Sequence, residues 1–216
     1  MVSDKIEIIK KTLPKGVELI AVSKTKPLEM IQEAMESGHL DYGENKVQEM
    51  VNKHESLPKN IRWHMIGHLQ RNKVKYIAPF VHLIHGADSK KLLDEINKQG
   101  SKNKKKINCL LQFHIASETT KFGFSMDEIR ELIDSKDYLN WENTNIQGVM
   151  GMATFTNDKK QVKTEFELLK KYFDELKPFF GENFKTLSMG MSGDYLEAIS
   201  KGSNMIRIGS DIFGKR

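Results

Sequence analysis

The chain has 216 residues, 38% of them hydrophobic and 29% charged, which gives material for one large core or two small ones and excludes a disordered chain. No apolar run approaches the roughly 20 residues that span a bilayer, so no membrane association is expected. With a single cysteine, Cys109, no internal disulfide can form, and the expected setting is reducing and cytoplasmic. The net charge of +5 would suit a nucleic-acid partner, but the one dense basic run, residues 102–106, has no interleaved aromatic residue on which a base could stack. It reads as a solvated loop, and no nucleic acid is expected.

Residues 1–11 alternate charge with isoleucine, lack the apolar stretch of a signal peptide, and predict a short amphipathic helix with Ile6 and Ile9 on one face. Residues 17–22 form an apolar run broken only by Glu18, a buried strand. Pro27 then opens a helix that carries Leu28, Ile31, Ala34 and Met35 on one stripe and stops at Gly38. A second helix is predicted over 45–54. The next strand covers 61–66 and closes at Gly67, and 68–78 reads as a helix ended by Pro79. Strand 81–84, helix 89–99, strand 107–115, helix 126–133 and strand 146–153 follow. Val162, Phe166, Leu169, Phe173 and Leu176 recur at spacings of four and three, an amphipathic helix. Strand 186–189, helix 194–200 ended by Gly202, and strand 205–208 complete the pattern.

Strand-like and helix-like segments thus alternate throughout. Several strands are continuous apolar runs of the kind buried on both faces in parallel sheets, and tight hairpin pairs are missing between them. About seven or eight strand–helix units predict an α/β fold, a single (β/α)8 TIM-type barrel with an additional N-terminal helix, spanning residues 1–216 as one domain. An open doubly wound sheet is the alternative.

Function in such a barrel collects at the C-terminal ends of the strands. Lys24 ends the first buried run, where partial desolvation favours the neutral amine that carbonyl attack requires, although on spacing alone a strand-end lysine more often snorkels to solvent. Asn45 follows Tyr42-Gly43-Glu44 and alone reads as a helix cap. His64 and His68 are four apart across a strand and a glycine turn, unlike the single helical face of a zinc-binding HExxH, so no metal centre is expected. Ser188-Met189-Gly190-Met191-Ser192-Gly193-Asp194 joins a strand to a helix, with Ser192 and Gly193 read at the helix N-terminus. Arg207-Ile208-Gly209-Ser210 ends the last strand with another Gly-Ser pair. Phosphate held by the loops after strands seven and eight is a recurrent barrel arrangement. Arg207 shares a strand face with Met205, and inside a barrel it needs an acceptor. Phosphate-loop, dinucleotide and nucleophile-elbow motifs are absent.

These segments resemble the pyridoxal phosphate homeostasis proteins. The matching residues are Ala21-Val22-Ser23-Lys24-Thr25-Lys26-Pro27, Tyr42-Gly43-Glu44-Asn45, Trp63-His64-Met65-Ile66-Gly67-His68-Leu69-Gln70, Leu187-Ser188-Met189-Gly190-Met191-Ser192, and Arg207-Ile208-Gly209-Ser210 with Ile212-Phe213-Gly214. The resemblance runs in register from about residue 19 to the C-terminus, with Lys46 and His114-Ile115-Ala116 as local departures. It implies the alanine racemase-like barrel and pyridoxal 5′-phosphate (PLP) as cofactor, joined to Lys24 as an imine. It further implies that Ser192, Gly193, Gly209 and Ser210 hold the phosphate, that Arg207 faces the pyridine nitrogen, and that Asn45, His64, Gly67 and Met189 line the pocket. An arginine at that nitrogen disfavours ring protonation and weakens the electron sink. Alanine racemases add a second, β domain with a tyrosine acid/base, whereas this sequence ends at Arg216 just after its last barrel unit. The expectation is therefore a non-catalytic, monomeric carrier that buffers PLP within the cell and hands it to apo-enzymes; the alternative is a racemase-type enzyme. Lys26 and Lys121 are further lysines available for loading or release.

Overall fold

A computed structural model describes residues 1–118 and 122–214. Eight parallel strands close into one barrel in sequence order: β1 (Glu18–Val22), β2 (Asp41–Glu44), β3 (Arg62–Met65), β4 (Leu83–Ala87), β5 (Ile107–Phe113), β6 (Thr144–Gly151), β7 (Thr186–Met191) and β8 (Met205–Ile208). Closure is made by β8 lying beside β1, with Ile20 opposite Arg207 and Ala21 opposite Ile208. The open-sheet alternative is thereby set aside. Nine α-helices surround the strands among the described residues. They are α1 (Val2–Thr12), α2 (Leu28–Met35), α3 (Val47–Ser56), α4 (Val74–Ile77), α5 (Lys90–Lys102), α6 (Met126–Asp134), α7 (Lys159–Phe180), α8 (Tyr195–Ser200) and α9 (Ser210–Phe213). The additional helix α1 buries Ile6 and packs against α2 and α9.

The two-residue alternation of each strand sorts side chains into two layers. Ile20, Leu83, Leu110, Met150 and Met205 meet inside the barrel. Ala21, Tyr42, Trp63, Ile84, Leu111, Leu187, Ile206 and Ile208 face the helices in a larger outer core. Helix α7 presents Val162, Phe166, Leu169, Phe173 and Leu176 to that core, the five positions its spacing predicts. At about 2 kcal/mol per buried side chain this stripe contributes on the order of 10 kcal/mol before entropy is counted.

Of the differences from the sequence reading, three bear on the barrel interior and its rim. Strand β2 has no apolar run because its inward positions are Asp41 and Gly43, and a side chain at 43 would press on Ile66 and Ile20, 3.0 and 3.1 Å away. Strand β4 begins and ends later than 81–84 and continues through His85, whose ring is bonded inside the barrel. Residues 68–70 are not helical: a 3-10 turn, Arg71–Lys73, leads into α4, while His68 bonds Asp88 at 2.8 Å and stacks on Phe122.

Candidate functional site

Lys24 sits half-buried in the turn that follows β1, two residues beyond Val22 on the inward face of the strand. The Lys26 N–H donates to the Ser23 carbonyl at 3.0 Å to close the turn, and Thr25 takes a positive φ of 65°. Helix α3 tethers this turn on both sides of Lys24. Lys53 Nζ donates to the Ser23 carbonyl at 2.8 Å, and the Thr25 N–H donates to Glu49 Oε1 at 2.6 Å. Lys53 also reaches Glu44 Oε1 at 2.8 Å and Glu49 Oε1 at 2.7 Å, and the Ser23 hydroxyl donates to Glu44 Oε1 at 2.6 Å. Glu44 and Lys53 are both buried, at 0% and 5% exposure. Burial pushes the Glu44 carboxyl up to about 7, with the Lys53 charge pulling the other way. The sequence reading passed over this network. Its signal was Lys53 itself, three residues after the inward Met50 on the same helical face.

Lys26 Nζ donates to the carbonyls of Phe213 and Gly214, both at 3.1 Å, so the same turn is tied to the end of α9. Lys121 lies outside the described residues.

The two Gly-Ser loops meet. The Gly209 N–H donates to Ser192 Oγ at 3.3 Å, and Gly209 lies against Val22 of β1. Ser192 and Gly193 form the tip of a turn closed by Asp194, whose Oδ1 accepts from the Met191 N–H at 2.6 Å. Helix α8 starts one residue beyond Asp194, so the Ser-Gly pair precedes the helix instead of forming its first turn. Among the described residues, chain neighbours aside, no atom lies within 4 Å of the position a Gly193 side chain would occupy, which leaves the tip open. Ser210 starts α9 and is exposed.

Arg207 projects inward from β8 and is 4% exposed. It donates to Ser188 Oγ at 2.6 Å and to the Gly151 carbonyl at 3.1 Å. Burial pushes its guanidinium down to about 10, opposed by the Asp194 charge. At the rim, Gly67 passes so close to β2 that a side chain there would lie 2.5 Å from the Asn45 carbonyl oxygen, and Gly86 in turn abuts the Gly67 carbonyl. His64 is buried with both ring nitrogens engaged, by His85 at 3.0 Å and Asp41 at 3.2 Å. Met189 stands apart from the others. Its side chain is in the outer core, and its carbonyl accepts from Ser203 Oγ at 2.7 Å. A cavity of about 640 Å³ opens at the opposite end of the barrel, where Lys10, His39, Asp41, Arg62 and His82 are among its walls.

The closed barrel, a lysine after its first strand and paired Gly-Ser loops after its last two define an alanine racemase-type α/β barrel. A family profile described as alanine racemase, N-terminal domain matches residues 2–216. The pyridoxal phosphate homeostasis protein of Aquifex aeolicus (strain VF5) is 38% identical over 200 residues, covering 92% of this chain and 87% of the relative. That of Pasteurella multocida (strain Pm70) is 39% identical over 205 residues, covering 93% and 87%. PipY of Synechococcus elongatus PCC7942, solved with PLP bound, superposes with a TM-score of 0.90 at 28% identity over 99% of this chain and all of that one. The chain belongs to the pyridoxal phosphate homeostasis protein family.

Proposed function

We propose that this protein binds PLP at the C-terminal mouth of the barrel, anchors it on Lys24, and carries or buffers it without turning over a substrate. What the cofactor supplies is a ring aldehyde that condenses reversibly with a primary amine, releasing water, together with a phosphate. The donor set suits such a group. Ser192 and Gly193 offer hydroxyl and backbone N–H donors to an anion, beside Gly209 and Ser210, whose N–H and hydroxyl reach Ser192 Oγ and Asp211 Oδ1 in this structure. Lys24 offers the amine from a turn pinned on both sides. Arg207 is a buried guanidinium with N–H donors beyond the two that Ser188 and Gly151 accept, so it can donate to an unprotonated ring nitrogen. A fixed cation there disfavours a second positive charge on the ring, which keeps the electron sink weak. Asn45 and Gly67 border the same mouth.

The observation that carries this reading is the buried Arg207 on β8, with the Gly-Ser loop that continues its strand bonded to the loop after β7. The test loads the purified protein with PLP, mixes it with an apo-aminotransferase, and in parallel assays alanine racemisation. The proposal expects aminotransferase activity to be restored and racemisation to stay at the level of free PLP. Turnover at the 1 s⁻¹ or faster typical of enzymes would overturn the carrier reading.

A further inference from the structure

A line of buried polar side chains crosses the barrel interior from Arg207 to Asp41. Arg207 donates to Ser188 Oγ at 2.6 Å; Ser188 Oγ and His85 Nδ1 are 3.3 Å apart. His85 Nε2 and His64 Nδ1 are 3.0 Å apart, and His64 Nε2 lies 3.2 Å from Asp41 Oδ1. Arg62 grips Asp41 through Nε and Nη2 at the far end. Ser188 and His85 are 0% exposed and His64 1%, so water does not complete their bonds from bulk solvent.

The donors and acceptors along this line can be assigned by elimination. Burial alone would raise the Asp41 carboxyl, but hydrogen bonds from Arg62 and His64 outweigh it and hold it well below the usual carboxylate range, so Asp41 only accepts. His64 Nε2 therefore carries a proton. With His64 neutral, its Nδ1 accepts from His85 Nε2–H. Burial, with the Arg207 charge nearby, keeps His85 neutral, so His85 Nδ1 accepts from the Ser188 hydroxyl, whose oxygen accepts from Arg207. From Ser188 to Asp41 each proton on the line then has an acceptor. The reverse arrangement, with His64 doubly protonated, would make His85 Nδ1–H a donor to Ser188 and leave the buried Ser188 hydroxyl proton without an acceptor, at a cost natural interiors avoid.

We infer that Ser188, His85, His64 and Asp41 form a one-way hydrogen-bond chain that locks the Arg207 guanidinium and links it to a carboxylate at the N-terminal end of β2. Through it, Ser188, His85, His64 and Asp41 act as positioning residues for the ring nitrogen's partner. The second half of this statement rests on the PLP reading; the first does not.

The test has two readouts. In protein stripped of cofactor, long-range proton–nitrogen NMR of the histidine side chains should show His64 and His85 both as neutral Nε2–H tautomers. A protonated His64, or His85 as the Nδ1–H tautomer, would overturn the chain. In loaded protein, Ser188→Ala should weaken PLP binding about ten- to a hundredfold, the range for losing a hydrogen bond to a charged group, and shift the absorption maximum. Ser188→Thr should restore both. Binding and spectrum unchanged in Ser188→Ala would overturn the positioning role. If the wild-type protein takes up no PLP, the cofactor reading fails, while the tautomers still decide the chain.

Discussion

Replacing Lys53 by methionine keeps the aliphatic stem and removes the charge that ties α3 to the Lys24 turn. Three bonds go: to the Ser23 carbonyl, Glu44 Oε1 and Glu49 Oε1. Glu44 remains at 0% exposure with the Ser23 hydroxyl as its partner, and its second oxygen already has none among the described residues. Breaking one side of a buried ion pair costs about 3–5 kcal/mol, because the other charge is stranded. With a urea slope of about 3 kcal/mol/M, the midpoint should fall by about 1–1.7 M. The loss should depend on pH. Lys53 opposes the burial that raises Glu44, so its removal raises the Glu44 pKa further above the ordinary 4.5. A carboxyl raised in the folded state takes up a proton on folding, so its penalty is small near pH 4.5 and grows as the pH rises. Urea titrations of both proteins at pH 5 and pH 8 measure this. Adding Glu44→Gln should recover much of the stability, while PLP retention stays weak because the Ser23 carbonyl beside Lys24 is still released. A loss below about 1 kcal/mol at pH 8, or no growth with pH, would refute the view that this pair supports the site.

Two other consequences can be checked directly. Gly67→Ala forces a side chain within 2.5 Å of the Asn45 backbone, where no flexible group can yield; it should cost about 1–3 kcal/mol and lower PLP affinity, read by thermal melting and equilibrium dialysis. His39 is 3% exposed, and burial, with the Lys10 charge, lowers it to about 4 from 6.5. A histidine kept neutral in the fold contributes stability that is complete above pH 6.5 and is lost as the pH falls toward 4. That loss is about 3 kcal/mol across the window, and denaturation midpoints measured from pH 7 to pH 4 in wild type and His39→Gln should show the smaller slope in the variant.

Much of the barrel was legible in the sequence because seven of its eight strands could be read from their apolar residues and its helices carry stripes. The exception, β2, shows why patterning fails locally. Its inward face serves a polar column, so Asp41 and Gly43 replace the aliphatic residues on which the pattern depends. The same physics misplaced the ends of β4, where His85 looked like a boundary and is instead an interior link. Lys24, Arg207 and the Gly-Ser pairs were legible because strand ends after buried runs are few and their polar residues conspicuous. Lys53, Glu49, Ser188 and Asp41 were not, because their roles come from partners 19 to 30 positions away in sequence, which spacing cannot supply.

The central claim is that Lys24 anchors PLP. The most direct measurement is the absorption spectrum of wild type and Lys24→Ala after incubation with PLP, before and after borohydride reduction, followed by peptide mass mapping. The account predicts a near-visible band in the wild type that reduction bleaches, with the added mass fixed on the peptide carrying Lys24 and absent from the variant. No band in the wild type at excess PLP, or the mass on a different lysine, would contradict it.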